Sequence, residues 1–483
     1  MAEEYKLNKL NELKSMGINP YPYSYKVTHH SEEIKLNFDK LEDTDVAAAG
    51  RIIGLRHMGK LYFFDLLDGE GKIQVMAAPN FSSEESLRIL ENLDTGDFAG
   101  VEGRVTKSKR GEISIAAKEI TVLSKSLLSL PEKFHGLTDV ELRYRKRYLD
   151  LISNTEVRKF FVTRAKILKY MRDFFDSRGY VEFETPILQP TYGGANASPF
   201  KTHFNALNQD MFLRIADELY LKRLIVGGFE KVYEVSKDFR NEDIDSTHNP
   251  EFTQIEAYEM FKDYEDYMKM TEELLSGMVK FLFGSYKINY QGKELDFTPP
   301  FKRLYWVEVL NEKIGVDVSK LTDKEAKEIA EKENLDIPLK NAYHVADALF
   351  DKYIKPDLFN PVFVLDFPAY MSPLTKDKRG NSRLSERFEL YLAGKEDVNC
   401  YSELTDPIEQ RKKFEEQDKE RKKGDPEAPP IDEDFLEAIE YGMPPTAGIG
   451  IGIDRLAMIL TDNTSIKEVI TFPTVKTEKQ NGV

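Results

Sequence analysis

Thr446-Ala-Gly-Ile-Gly-Ile-Gly-Ile-Asp-Arg455 decides how the larger part of this chain is read. Gly448, Gly450 and Gly452 alternate with Ile449, Ile451 and Ile453, and the apolar run Leu456–Leu460 follows Arg455. A period of two belongs to a strand, here with one apolar face and one face of bare backbone. Glycine inside a strand marks close approach by another backbone or a ligand. The spacing is neither a dinucleotide fingerprint nor a phosphate loop, because no Lys-Ser/Thr pair follows. Two readings stay open at this point. One is an ordinary buried strand running into a capped helix; the other is a ligand floor with Arg455 set at the junction for a phosphate.

Two further strand candidates, Val232–Phe239 and Phe252–Tyr258, flank a polar loop. Residues two apart share a face. Glu234, Ser236, Asp238, Arg240 and Glu242 therefore lie together, opposite Tyr233, Val235 and Phe239, while Phe252, Gln254, Glu256 and Tyr258 share a face of the second strand. Asn399, Tyr401 and Glu403 repeat the design, with Cys400 and Ser402 behind them. A polar strand face ordinarily meets water; the alternative is an antiparallel floor carrying arginine, carboxylates and aromatics into a cleft. Upstream lie Glu389 and Glu396, two carboxylates of the kind that hold magnesium together with phosphate oxygens, although such pairs are common. His248 sits in the loop before Asn249-Pro250, and the few histidines form no metal-hydrolase or serine-hydrolase arrangement.

The rest of the chain sets the frame. Its 483 residues suffice for several domains, and 41% hydrophobic with 31% charged residues is an ordinary globular composition. The net charge of −16 argues against sequence-blind coating of DNA but leaves room for a local basic stripe. A single cysteine, Cys400, excludes a disulfide framework and a multi-cysteine zinc site, and fits a reducing cytoplasm. No apolar run approaches the ~18 residues of a membrane span, and the start of the chain reads as an amphipathic helix (Leu7, Leu10, Leu13, Met16) rather than a signal peptide.

From Val46 the texture changes. Strands at Val46–Arg56, Leu61–Leu67 and Lys72–Ala77, a helix at Ser83–Leu93, then strands at Phe98–Thr106 and Glu112–Leu123 follow the order of an OB-fold, a small barrel that often binds oligonucleotides. Other small barrels share this texture. The predicted organisation is a helix and lead-in over 1–45, the barrel over 46–130, a linker over 131–155 and a large α+β domain over 156–483. In the linker, Arg143-Tyr-Arg-Lys-Arg-Tyr148 reads either as a solvated helix turn against an acidic neighbour or as a hinge touching phosphate. Beyond it we expect a helix at Arg164–Asp176, a strand at Tyr180–Thr185, helices at Leu219–Gly227, Ser319–Asn334 and Pro407–Lys423, and an exposed loop over Gly424–Pro430.

Taken in order, these segments resemble the class II aminoacyl-tRNA synthetases over nearly the whole chain. The helix, strand and Pro186 resemble the family's first motif, Phe239-Arg-Asn-Glu242 with its loop and Phe252 the second, and Gly448–Arg455 the third. The runs Glu218-Leu-Tyr-Leu-Lys-Arg-Leu, Glu256-Ala-Tyr258 and Asn399-Cys-Tyr-Ser-Glu403 resemble the lysine-specific members. The resemblance implies an N-terminal OB-fold that reads an anticodon and a catalytic domain built on an antiparallel sheet flanked by helices. It implies activation of L-lysine by ATP, with Mg2+, and transfer to the 3′ end of tRNA(Lys), in a cytoplasmic homodimer paired through the Val157–Pro186 region.

Residue by residue, it implies that Arg240 bridges the lysine carboxylate and the α-phosphate, and that Phe252 and Arg455 sandwich adenine. His248 and Asn249 fall near the phosphates, Glu242 at the adenine amino group, and Glu389 and Glu396 at the metal. Gly194, Glu218 and Glu256 match contacts to the α-amino group, Glu403 and Tyr258 the partners of the ε-ammonium, and Asn399 and Tyr401 the same wall. Arg56, Phe63 and Gln74 match anticodon contacts, with Glu102 near another. Asp217 stands where proline is usual, Asp397-Val398 where a small apolar pair is usual, and Cys400 where glycine is usual; strand parity turns Cys400 away from the pocket. Two other classes stay open: a paralogue that transfers lysine to protein, which would lack the OB domain, and a binding-only protein with a degenerate catalytic domain.

Overall fold

A computed structural model of the chain describes residues 3–131, 137–337, 341–424 and 427–476. It divides into two compact units, residues 1–138 and 139–483.

In the first unit, β1 (Asp45–Met58), β2 (Leu61–Leu67), β3 (Lys72–Ala77), β4 (Phe98–Lys107) and β5 (Ile113–Ser124) close a barrel in the order β1-β2-β3-β5-β4. Alternation fills it: Val46, Ala48 and Ile52 of β1 and Val101 and Val105 of β4 point into one apolar core. The lead-in belongs to this unit, because Leu13 of the first helix, α1 (Glu4–Ser15), and Ile34 and Phe38 are buried in the same core. α2 (Glu84–Glu91) is capped by Ser83, whose hydroxyl accepts from the Ser86 N–H.

The second unit begins earlier than expected. Residues predicted as linker form helices at Val140–Arg145 and Arg147–Ser153, while residues 132–136 lie outside the described residues. Two arginines of the basic run there are tied to protein partners. Arg143 pairs with Asp150 and Glu468, and the fully buried Arg147 pairs with Asp150 at 2.5 Å and donates to the Thr471 and Lys467 carbonyls. Arg143 and Arg147 thus clasp the C-terminal part of this unit.

An eight-stranded sheet organises the rest. In chain order its strands are β6 (Val181–Glu182), β7 (Lys231–Phe239), β8 (Glu251–Met260), β9 (Lys302–Tyr305), β10 (Val362–Leu365), β11 (Arg387–Leu392), β12 (Lys395–Ser402) and β13 (Thr446–Gly452). The spatial order is β9-β10-β11-β12-β13-β8-β7-β6, antiparallel through the middle and parallel only at the two edge pairings. Beneath one face pack α3 (Val157–Asp176), α5 (Tyr264–Phe283) and α7 (Ile453–Leu460), burying Ile255, Ala257, Ile449, Ile451, Val398 and Cys400. The other face carries the polar members of the same strands, with α4 (Glu218–Val226) and α6 (Pro407–Lys422) at its rim.

Several local expectations change. The strand expected over Tyr180–Thr185 shortens to Val181–Glu182, because it has only the parallel pairing with β7 to hold it. The charged helix starts at Asp323 rather than Ser319: Thr322 and Glu325 make a capping box, and Ser319 lies in a preceding 3-10 turn. Of the loop expected to be exposed, residues 425–426 lie outside the described residues, and Ala428 and Pro429 are buried. α7 starts at Ile453, so Arg455 lies inside its first turn. Among the described residues no helix is long and apolar enough to cross a membrane.

Candidate active site

The register of the central strands builds the site row by row. Gly450 pairs with Glu256 on one side and Asn399 on the other; Gly448 pairs with Tyr258 and Tyr401; Gly452 pairs with Gln254. Side chains therefore rise on both flanks of a strand that has none. A Cβ at Gly448 would overlap the Glu403 carboxylate and the Tyr258 ring, whereas one at Gly450 would meet only the Glu256 stem at 3.9 Å. The glycine alternation thus sinks the floor of a cavity of about 340 Å³.

Its walls hold Gly194, Glu218, Arg240, Glu242, His248, Asn249, Phe252, Glu256, Tyr258, Glu396, Asn399, Tyr401, Glu403 and Arg455, so residues drawn from distant segments meet in one cavity. Gly194 has φ +87, and a Cβ there would press within 3.3 Å of the Glu218 Cβ.

One end is acidic and dry. Glu256 accepts from the Tyr258 hydroxyl at 2.9 Å and from the Gln254 amide at 2.7 Å; burial, helped by the charges of Glu218 and Asp238, pushes its carboxyl up to about 8. Burial pushes Glu403 up to about 8 as well, against the pull of the Lys222 ammonium. Asp217 is also buried beside these groups, and burial and Glu256 drive its carboxyl well above the usual range. Cys400 faces the apolar underside, as parity requires.

The other end suits an aromatic ring and phosphates. Arg240 lies over the Phe252 ring, 5.1 Å from its centroid. Arg455 donates to the Glu396 carbonyl at 2.7 Å and lies 3.1 Å from His248 Nε2, whose ring is held through Nδ1 by Asp245 at 2.8 Å. Asp454 anchors this corner: it accepts from Arg164 at 2.7 Å and from the Thr253 N–H at 2.7 Å, tying α7 to α3 and β8.

Glu389 departs from expectation. It lies in the same cross-strand row, opposite Asn399, but is set back behind the cavity wall, where it accepts from Arg387 and, at 2.7 Å, from the Tyr391 hydroxyl. Burial and the Glu396 charge push its carboxyl up to about 7. Two carboxylates whose charges oppose each other suit a hard divalent cation, and Mg2+ characteristically takes one or two carboxylates with phosphates and water. Among the described residues no group of three side chains could cage a metal alone.

Sequence reasoning missed Lys222 and Arg387. Lys222 was signalled by its i,i+4 spacing from Glu218, and Arg387 by sharing a strand face with Glu389.

In the barrel, Arg56 and Phe63 are cross-strand neighbours, and the Arg56 side chain is exposed. Gln74 has protein partners. It is buried, donates to Glu112 at 3.1 Å and accepts from Ser114 at 3.0 Å, at the edge of a small cavity with Lys35, Lys72 and Gly111. Glu102 pairs with Ala47 and Glu119 in the barrel wall.

Comparisons with known proteins agree with this geometry. The family model for class II tRNA synthetases (D, K and N) matches residues 139–476, and that for the OB-fold nucleic acid binding domain matches 46–123. The chain is 50% identical over 480 residues to a lysine–tRNA ligase of Clostridium novyi, covering 98% of this chain and 94% of that one. It is 48% identical to a lysine–tRNA ligase of Clostridium perfringens (99% and 96% covered) and 50% identical to lysine–tRNA ligase 2 of Methanosarcina mazei (99% and 94%).

Proposed function

The chain belongs to the class II tRNA synthetases of the D, K and N group, and from that premise we propose that it is a lysine–tRNA ligase. One observation carries the choice of amino acid: Glu218, Glu256 and Glu403 converge on a single cavity beside Arg240. Free lysine has two ammonium groups and one carboxylate. Moving the ammonium groups out of water is costly unless each meets an ionised, hydrogen-bonded partner.

Activation joins the lysine carboxylate to the α-phosphorus of ATP, with pyrophosphate leaving. The nucleophile is already an anion, so the reaction needs positioning and charge neutralisation more than a base. Arg240, a planar guanidinium, holds the carboxylate and an α-phosphate oxygen together. Phe252 and Arg455 take the adenine between them, Glu242 accepts from its amino group, and His248 and Asn249 lie toward the phosphates. Glu256 and Glu218 orient the α-amino group with Gly194; Glu403 and Tyr258 take the ε-ammonium, with Asn399 and Tyr401 along the wall. Glu389 and Glu396 would hold Mg2+, which spreads the triphosphate charge and stabilises the leaving group. In the second step a hydroxyl of the terminal tRNA ribose attacks the acyl carbon and AMP departs.

Arg56 and Phe63 on the barrel are the anticodon contacts in this reading, with stacking on Phe63 as the main term. Gln74 is the third such contact, its amide keeping one hydrogen and one lone pair for a base edge beside its bonds to Glu112 and Ser114. Exposed Val162 and Val181 on α3 and β6 support a homodimer through residues 157–186. The single Cys400, buried and free, suits a cytoplasmic enzyme. The test is ATP–pyrophosphate exchange across the amino acids, followed by charging of separate tRNAs. Exchange with lysine alone and charging of tRNA(Lys) alone are expected; exchange with aspartate or asparagine would overturn the assignment.

A further inference from the structure

Lys222 is fully buried, one turn along α4 from Glu218, and its ammonium lies between two of the carboxylates assigned above. It reaches the Glu218 carboxylate at 2.5 Å and the Glu403 carboxylate on its other side. It does not line the cavity, so it meets these groups from behind the wall that substrate would touch. An ammonium in that position is an unusual choice for a pocket that must bind a second ammonium, and the mechanism above makes no use of it.

Counting charges gives it a purpose. Glu218, Glu256 and Glu403 bring three negative charges when ionised, and Arg240 brings one positive charge to the same cavity. Without Lys222 the set stands at −2; with it, at −1. Free lysine carries +1 at neutral pH, so among these groups the sum with substrate reaches zero only when Lys222 is counted; Arg387, Arg455, Glu396 and Asp397 line the rest of the same cavity. We propose that Lys222 is a positioning residue that sets the charge of the lysine pocket: fixed between Glu218 and Glu403, it aligns both carboxylates and weakens their hold on protons, so that one cationic substrate completes the balance.

This rests on the lysine–tRNA ligase reading and deepens it. The groups facing the triad from each packed element are Asp217 at the start of α4, Glu256 and Tyr258 on β8, Cys400 and Tyr401 on β12, and Lys376 from the loop after β10. Of these only Lys376 is cationic; Lys222 is the ammonium paired directly with both Glu218 and Glu403. Burial opposes that ammonium, but Glu218 and Glu403 outweigh burial and keep it charged.

The experiment compares wild type, Lys222→Met and Lys222→Gln in lysine-dependent ATP–pyrophosphate exchange from pH 6 to pH 9, with ATP binding measured separately. Losing the ammonium makes the crowded carboxylates take up an additional proton in the empty pocket. Lysine binding must then expel it, which costs about tenfold in affinity for each pH unit below the new titration point. The expected result is an increase of about tenfold or more in lysine KM at pH 7, narrowing steadily toward pH 9, with ATP KM unchanged. Lys222→Arg, which keeps the charge, should restore the wild-type slope of KM against pH. Three results overturn the proposal: a lysine KM profile parallel to wild type in a neutral variant, a loss that does not depend on pH, or failure of both neutral variants to bind ATP, which would make Lys222 a folding residue. Absence of lysine-dependent exchange in the wild-type protein would instead overturn the underlying reading.

Discussion

Replacing Glu403 with glutamine isolates the charge that selects the substrate side chain. The carboxylate is fully buried, at the end of β12 beside Tyr258 and above Gly448, and it is shared with Lys222. Glutamine preserves shape and offers one carbonyl oxygen, but two ammonium groups, that of Lys222 and that of the substrate, compete for it. The amide NH2 can only donate, so whichever ammonium it faces is left against another donor. Lys222 still has Glu218, so the apo protein keeps one ion pair there and should fold. The substrate has no such reserve. Truncating one partner of a buried charge pair costs about 2–5 kcal/mol, or roughly 30- to several-thousand-fold in affinity. Lysine-dependent ATP–pyrophosphate exchange at saturating ATP would show this as a rise in lysine KM. ATP KM should hold, because Phe252 and Arg455 lie at the other end of the cavity. Turnover at saturating lysine should fall far less than kcat/KM, since the lost contact is made equally before and during the reaction. A lysine KM within about threefold of wild type, a difference of only ~0.7 kcal/mol, would refute the assignment of the ε-ammonium to Glu403.

Phe63→Ala should raise the tRNA KM by about 1–3 kcal/mol of lost stacking while leaving pyrophosphate exchange intact; an equal loss in both would remove anticodon reading from the barrel. Val162→Asp, which puts a charge on an exposed apolar position of α3, should shift a sedimenting dimer toward monomer; a wild-type protein that sediments as a fully active monomer would remove the dimer. Lysine should protect the protein from heat more strongly as pH rises from 6 to 9. Glu256 and Glu403 have folded values of about 8, above the ordinary carboxylate value, so the empty folded state holds extra protons between about pH 4.5 and 8 and loses stability as pH rises through that window. Bound ammonium groups favour the ionised carboxylates and offset that loss; a lysine-induced rise in Tm that shrinks with pH would reverse the sign of the argument.

Most of the central sheet could be read from the chain because its signals are local. Gly448, Gly450 and Gly452 marked a strand that was either simply buried or a ligand floor, and parity alone placed Glu256 with Tyr258 and Asn399 with Tyr401 on one face, with Cys400 behind. What escaped depends on partners far away in sequence. Arg143 and Arg147 look like a phosphate-seeking run until Glu468 and the Lys467 and Thr471 carbonyls are brought to them. Ala428 and Pro429 sit in a stretch composed like an exposed loop, yet they are buried by tertiary contacts that no window of sequence contains. Gln74 has the right residue type for a base edge, and that Glu112 and Ser114 beside it hold its amide in place could not be read from its own segment.

Lys222 escaped for a different reason. Glu and Lys four residues apart on a helix ordinarily describe a solvated surface pair worth a few tenths of a kcal/mol. The same spacing becomes an internal charge clamp only because Glu403 arrives from the end of β12 and covers the ammonium from the other side. That arrival depends on Gly448, whose missing side chain leaves the space that the Glu403 carboxylate and the Tyr258 ring occupy. A slip of one residue in β13 would put an isoleucine there and turn every glycine toward the apolar core, since each side of a strand exchanges faces at once. The glycine periodicity therefore does more than admit a ligand: it fixes the register that lets a carboxylate and a buried ammonium meet behind the pocket wall.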